Sequence, residues 1–282
     1  MDAFIDFFAH LTSIQKLIWI VGLLMVFWLL EGVYPLRKFN YGKWEHARPN
    51  LILLATSIAI NVLFGLATVG IFHWLEISKF GLLNLIDWPV WIELIVAIMV
   101  LDFMAQYVVH FMLHKVKFMW RFHMVHHSDT HVDVTSGTRH HPIDYLIREI
   151  FALFAIVIAG LPLAYYLVYR VMTILFTYFS HANIRLPHAL DKAISLVFIS
   201  PNTHKFHHHH EMPWTDTNYG NIFSLWDRVF GTFVYHDTKN IVYGLDILDK
   251  EKANDIGYQM KVPFLYQKVH TDTQPDMVSE KG

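Results

Sequence analysis

Long apolar segments constrain this chain most, because a membrane-spanning helix needs about 20 consecutive, mostly apolar residues. Three segments meet that requirement, at residues 14–36, 50–74 and 89 to about 113. A fourth apolar region, from about 143 to 179, is interrupted at residues 160–162, where a glycine and a proline break helical periodicity. We interpret it as two short spans or a re-entrant hairpin. The sequence therefore predicts an all-α integral membrane bundle.

Composition supports the membrane class and excludes others. Apolar residues make up 54% of the chain and charged residues 16%, which is too apolar for an ordinary soluble domain. The net charge of −2 gives no basic surface for nucleic acid. No small-residue cleavage site follows the first segment, and Asp2 and Asp6 precede it, so we expect a retained helix and not a signal peptide.

The loop charges predict an orientation, because Lys and Arg favour the cytoplasmic ends of spans. Only Lys79 follows the second span, whereas several cations follow the first and third: Arg37, Lys38, Lys43 and Arg48, then Lys115, Lys117, Arg121 and Arg139. The hairpin would then return His181 to the inner side, where the third span ends. We expect N-terminal spans over 1–88, a central domain over 89–243 with a cytosolic cap from about 186, and a C-terminal tail over 244–282.

Histidines are the main chemical signal, with twenty in the chain and no cysteine, so any metal must be held by nitrogen and oxygen. Three clusters share helical spacing: His110 and His114; His123, His126 and His127; His204, His207 and His208. Offsets of three and four residues lie on one helical face, so each cluster can direct two or three imidazoles at one point. With His181 they number nine, which is too many for one ion and suits two.

Other polar residues are weaker candidates. Asp102, Gln106, His110 and His114 form one i+4 row on the third span, which predicts that Asp102 accepts a hydrogen bond from a ligand imidazole, or makes an interhelical contact. Arg170 lies about three helical turns before His181, with Thr177 between them on the same face, and is either a functional residue of the span or an interhelical polar contact. His209 and His210 extend the third cluster beyond the shared pattern, so we expect them to face solvent or to surround the ligands.

The motifs in their order resemble those of the fatty acid hydroxylase and sterol desaturase superfamily of membrane di-iron oxygenases. The similarity covers about residues 90–235, and its last segment is nearest to sterol desaturase and alkylglycerol monooxygenase relatives. The matching pieces are HFMLH at 110–114, WRFHMVHHSD at 120–129, TRHHP at 138–142, SHANIRLP at 180–187, HKFHH at 204–208 and DTNYGNIFSLWDRVFGTF at 216–233.

The resemblance implies a four-helix transmembrane bundle under a cytosolic cap, with two iron ions that activate O2. The implied ligands are His110, His114, His123, His126, His127, His181, His204, His207 and His208. His141, in an Arg-x-His-Pro pattern, is a candidate further ligand or a partner of one, and Asp144 stands where relatives often have glutamate. Asp216, Asn218 and Asp227 are able to accept imidazole N–H bonds.

We expect hydroxylation of a lipid C–H bond, with electrons supplied by a separate cytochrome or ferredoxin with its reductase, since the chain shows no flavin, haem or nicotinamide motif. The lipid would enter between apolar helices of a bacterial inner membrane or the endoplasmic reticulum. Phe111, Met112, Phe118 and Met119 would line that entrance or pack in the core.

Several alternatives remain open at this point. Shared motifs do not distinguish hydroxylation from desaturation or ether cleavage, and imidazole binds zinc as well as iron. A metal transporter would need polar residues aligned through several spans. A zinc hydrolase would need a catalytic carboxylate near the ligands, and the chain has no His-Glu-x-x-His motif.

Overall fold

A computed structural model describes residues 1–211, 214–236 and 238–272. Over these residues the chain is helical, with two isolated β-bridges. A π-helical segment, Phe103–Val108, joins α4 to α5. The α-helices are α1 Asp2–Ala9, α2 Ser13–Val33, α3 Lys43–Ser78, α4 Val90–Asp102, α5 Val109–Lys115, α6 Lys117–His127, α7 Pro142–Ala159, α8 Leu163–His181, α9 His188–Ile194, α10 Pro201–His207, α11 Leu225–Val229 and α12 Ile256–Asp272.

Four helical stretches are long and apolar enough to cross a membrane: Ser13–Val33, Lys43–Leu85, Val90–Lys115 and Leu163–His181. The first two carry outward-facing apolar side chains, and Leu66 on α3 is 80% exposed. Large apolar surfaces of this kind are stable in lipid and unfavourable in water. The predicted all-α membrane bundle is therefore confirmed.

The predicted break in the fourth apolar region is also confirmed. Gly160 ends α7 in the left-handed region, with φ of 70°, and Pro162 precedes α8. The backbone of Gly81 lies so close to Gly160 that a Cβ on either residue would overlap the other. Of the two helices, α8 is apolar enough to span, whereas the first half of α7 carries Asp144, Arg148 and Glu149.

The core of the bundle is built around α8, which packs against α1, α2 and α4, while α7 packs against α3 and α4. Leu101, Ile156 and Tyr169 are almost fully buried where these helices meet. The N-terminal spans are also held by polar contacts, since Glu31 on α2 accepts hydrogen bonds from the backbone of Val134 and Asn183. The C-terminal end of α8, which carries His181, is thereby fixed beside the segment after α6.

The C-terminal helix α12 lies on α6, with Val262 buried among Leu53, Met124 and Val125. Gln259 accepts a hydrogen bond from Ser128, directly after the second histidine cluster. The division at residues 88 and 243 remains a prediction, and the last part of the predicted tail, 273–282, lies outside the described residues.

Candidate metal centre

The nine predicted ligand histidines come together as two adjacent groups. Within each group the candidate ligand nitrogens all lie within 4.8 Å of one another. The five-histidine group consists of His110, His114, His123, His127 and His207, and the four-histidine group of His126, His181, His204 and His208. The ring centroids of His127 and His208, one from each group, are 4.7 Å apart, so the groups form one continuous centre.

Helix geometry explains how two clusters are divided between the groups. His123 and His127 on α6 join the five-histidine group, whereas His126 turns to the other. His204 and His208 stay together, whereas His207 turns away. Residues i and i+4 share a face, but consecutive residues differ by about 100° around a helix. The expectation that each cluster converges on one point was therefore wrong for α6 and α10, since each bridges both groups.

Local sequence signals position these helices. Ser200 caps α10 in a reciprocal arrangement with Thr203, and Pro201 occupies the first helical position, where its missing N–H costs nothing. The buried Lys205 donates to the carbonyl oxygen of His181, and also to that of Ala182, at the C-terminal end of α8. The ends of α8 and α10 are therefore fixed to each other beside the four-histidine group.

His181 shows why the four-histidine group is suited to a cation. Its Nδ1 donates to the Thr177 carbonyl oxygen at 2.7 Å, which leaves a lone pair on Nε2. Three further Nε2 atoms approach that atom: His204 at 2.9 Å, and His126 and His208 each at 3.3 Å. One lone pair cannot accept three hydrogen bonds. Neighbouring nitrogens around one metal at ~2.1 Å are about 3.0–3.4 Å apart, which matches these distances.

The five-histidine group is oriented by acceptors on its outer side. The Nδ1 atom of His110 faces the Tyr219 carbonyl oxygen at 2.8 Å, and that of His207 faces the Thr217 carbonyl oxygen at 2.6 Å. Such partners fix the proton on Nδ1 and direct the bare Nε2 inward. Three Nε2 atoms of this group are buried without a hydrogen-bond partner, those of His114, His127 and His207. Buried polar atoms are rarely left unpaired, and a bound metal would satisfy all three.

Carboxylates complete the outer layer. Asp144, fully buried, faces Nδ1 of His123 at 3.1 Å, and Asp216 faces Nδ1 of His114 at 3.2 Å. Hydrogen bonds from His114 and Lys115 outweigh partial burial and lower the pKa of Asp216 to about 2. Both carboxylates therefore lie one layer outside the imidazoles, and the inner layer itself carries no negative charge.

Burial keeps the imidazoles neutral, which metal binding requires. It lowers the pKa of His123 to about 3, against the opposing effect of Asp144. Burial and the neighbouring imidazoles likewise lower the pKa values of His126, His127, His204, His207 and His208 far below the ordinary value for histidine. A buried centre of neutral nitrogen donors fits iron or zinc.

The structure places His140, and not His141, beside the centre. The ring of His140 stacks on His126 at 4.8 Å, and its Nδ1 faces Asp144 at 3.0 Å. His141 caps α7 by accepting a hydrogen bond from the Ile143 backbone, and its ring contacts Phe122. The expectation for His141 was wrong because the residue before Pro142 is used to begin a helix. Its neighbour His140 had no separate sequence signal.

Three other residues that were predicted to hydrogen-bond to imidazoles bond to a loop instead. The Asp102 carboxylate accepts hydrogen bonds from the backbone of Ile222 and Phe223 and from Trp226. It lies about 12 Å along the helix from His110, too far to contact that ring directly. The direct bond predicted from Asp102 to an imidazole is therefore wrong.

The Asp227 carboxylate accepts from the backbone N–H groups of Tyr219 and Gly220, and from the Thr232 hydroxyl. Asn218 adopts φ of 54° and donates to the Thr203 and Val234 carbonyl oxygens. Both residues were expected to accept imidazole N–H bonds, and that expectation was wrong. They fix the segment 217–223, whose backbone carbonyl oxygens face His207 and His110.

Comparison with known proteins agrees with this geometry. Residues 94–232 match the fatty acid hydroxylase family. Ornithine lipid hydroxylase OlsE of Rhizobium tropici is 28% identical over 147 residues, covering 52% of this chain and 43% of that protein. Human alkylglycerol monooxygenase is 27% identical over 233 residues, covering 79% of this chain and 46% of that protein. The chain thus spans less than half the length of these two relatives, and no solved structure matches it.

The fold and the site together define a class: a helical membrane protein with a buried polyhistidine centre. Within that class the chain belongs to the fatty acid hydroxylase and sterol desaturase superfamily, through the domain at residues 94–232.

Proposed function

We propose that this protein is a membrane lipid hydroxylase that binds two iron ions in its two histidine groups and uses O2 with electrons from a separate carrier. The observation that carries the proposal is the convergence of nine inward-facing imidazoles on one buried centre. The names of the relatives support the reaction class, since one is named a hydroxylase and the other a monooxygenase. When bound, the irons would activate O2, which is the oxidant that hydroxylation of a C–H bond requires.

The chain's own residues provide position and exclusion of water. Nδ1 hydrogen bonds to the Thr177, Thr217 and Tyr219 carbonyl oxygens fix the ring orientations before any metal binds. Asp144 and Asp216 hydrogen-bond to the imidazoles of His123 and His114 from outside the layer of ligands. Negative charge therefore lies near the centre, but no carboxylate replaces a nitrogen ligand. The distribution of the loop cations supports a cytoplasmic position for the centre.

Isotope labelling tests this function. Cells expressing the chain are grown under heavy-isotope O2, and total lipids are compared with those from a His126→Ala, His207→Ala variant, which removes one ligand from each group. We expect a heavy oxygen atom in a lipid from the wild type and none from the variant. A His209→Ala, His210→Ala variant is the matched control, because neither residue belongs to the two groups.

The products distinguish the related reactions. Loss of two hydrogens without label would identify a desaturase, and a released aldehyde would identify ether cleavage. Identical lipid profiles in all strains, with the substrate and a reductase supplied, would contradict an oxygenase. Metal uptake that depends on His126 and His207 would then favour a transporter.

A further inference from the structure

Two adjoining cavities lie between α2, α3, α7 and α8. The larger, about 500 Å³, runs along α8 from Leu163 to Ile174 and has mostly apolar walls. The smaller, about 140 Å³, extends towards the histidines and ends at His140 and Thr177. His140 stacks on His126, and the Thr177 carbonyl oxygen accepts from His181. The voids therefore connect an apolar compartment with the edge of the metal centre. Phe111, Met112, Phe118 and Met119 line neither cavity.

A charged cluster lies where the two cavities meet. Arg170 on α8 donates to Glu149 at 2.7 Å, to the Tyr145 hydroxyl at 2.8 Å and to Asn61 at 3.2 Å. Arg170, Glu149 and Asn61 line both cavities. Ionisable residues within membrane spans are costly, and they commonly mark a substrate path.

The cluster is balanced in charge. Glu149 neutralises Arg170, and the other cation on the wall of the smaller cavity, Arg148, is paired with Asp144 at 3.1 Å. An anionic group entering here would be buried without an unpaired cation, which is unfavourable. Hydrogen-bonding capacity remains, since the Thr173 hydroxyl on the same wall is buried with no partner of good geometry. The walls of the smaller cavity therefore suit an uncharged oxygen function, whereas Lys16 lines the larger cavity near the start of α2.

We propose that the two cavities bind one single-chain lipid, with its apolar tail in the larger cavity and an uncharged oxygen-bearing end among Asn61, Tyr145 and Arg170. The assignment rests on the proposed function at one point, namely that the reacting carbon faces the histidines. Because the tail compartment leads away from His140, the oxidised carbon lies at or beside the polar end and not at the end of the tail.

Glycines on α3 provide a matched pair for testing the tail compartment. A Cβ at Gly65 or at Gly70 meets no atom within 4 Å, so both positions accept a larger residue without overlap. Gly65 lines the larger cavity and Gly70 does not. Gly65→Leu should therefore shorten the compartment. Gly70→Leu should leave the compartment unchanged, although it alters helix propensity by the same amount as Gly65→Leu.

The experiment measures binding of defined probes to the purified full chain in detergent, without turnover. Hexadecan-1-ol should bind about tenfold more tightly than hexadecane, as one or two buried hydrogen bonds provide, and more tightly than hexadecanoate. Gly65→Leu should weaken the binding of hexadecan-1-ol relative to that of dodecan-1-ol, whereas Gly70→Leu should not. Glu149→Met with Arg170→Met should abolish the preference for alcohol over alkane and leave hexadecane binding unchanged. If that pair does not fold, Tyr145→Phe should reduce the same preference.

Any of three results would overturn the proposal. These are tightest binding of hexadecanoate, equal effects of the two leucine variants, and an intact alcohol preference in the Tyr145→Phe protein and the Glu149→Met, Arg170→Met protein. These outcomes are independent of the oxygenase test. Failure of the proposed function would abolish labelled product without changing probe selectivity. Failure of the cavity assignment would change probe selectivity without abolishing product.

Discussion

His181→Ala should remove the metal of the four-histidine group and leave that of the five-histidine group largely in place. His181 supplies the Nε2 atom that the other three rings approach within 3.3 Å. Loss of a residue that only orients a ligand costs 10–100-fold in metal affinity or activity, so loss of the ligand itself should cost more than about 100-fold in lipid oxidation. Elemental analysis after dialysis against a chelator should give about one metal ion per chain.

Two results would contradict this account of His181. One is a full metal content in His181→Ala, and the other is loss of both ions together with unfolding. The His209→Ala, His210→Ala protein should retain the wild-type metal content under the same dialysis. Near-ultraviolet circular dichroism of each protein would separate loss of a ligand from loss of the fold.

Asp144→Asn should weaken metal binding in the five-histidine group by about 10–100-fold. The Asp144 carboxylate accepts from the imidazoles of His123 and His140 and from the Arg148 guanidinium. An asparagine presents one oxygen and one NH2 group, so it cannot accept all three hydrogen bonds. It also leaves Arg148 without its counter-charge. Metal titration with a competing chelator would measure the change in affinity.

Asp216→Asn is the informative comparison, because Asp216 has the same relation to His114 that Asp144 has to His123. Its side chain is 14% exposed and also pairs with the exposed Lys115, whereas the Asp144 side chain is fully buried. Water can replace part of what Asp216 provides, so its loss should cost less. An equal or larger effect of Asp216→Asn would show that the burial of a carboxylate does not determine how much it contributes to metal affinity.

Much of the site was predictable because its signals are local. The i, i+4 spacing predicted which histidines share a face, and all nine predicted ligands fall within the two groups. The apolar segments and the interruption at Gly160 likewise predicted the helices and the turn between α7 and α8.

What the sequence could not reveal depends on contacts between distant segments. The acceptors for His110, His181 and His207 are backbone carbonyl oxygens, which carry no side-chain signature. Asp102 and Asp227 act through the segment 217–223, an arrangement that exists only once the bundle has formed. His140 was missed because it has no sequence signal separate from that of His141, and its contacts with His126 and Asp144 form only in the folded protein.

Metal content of the purified protein, expressed in iron-rich medium, tests whether the two histidine groups hold two iron ions. We expect about two iron ions per wild-type chain, about two in the His209→Ala, His210→Ala control, and almost none in the His126→Ala, His207→Ala protein, which has lost one ligand from each group. Wild-type protein that binds no metal, or a double variant that keeps both ions, would contradict this expectation.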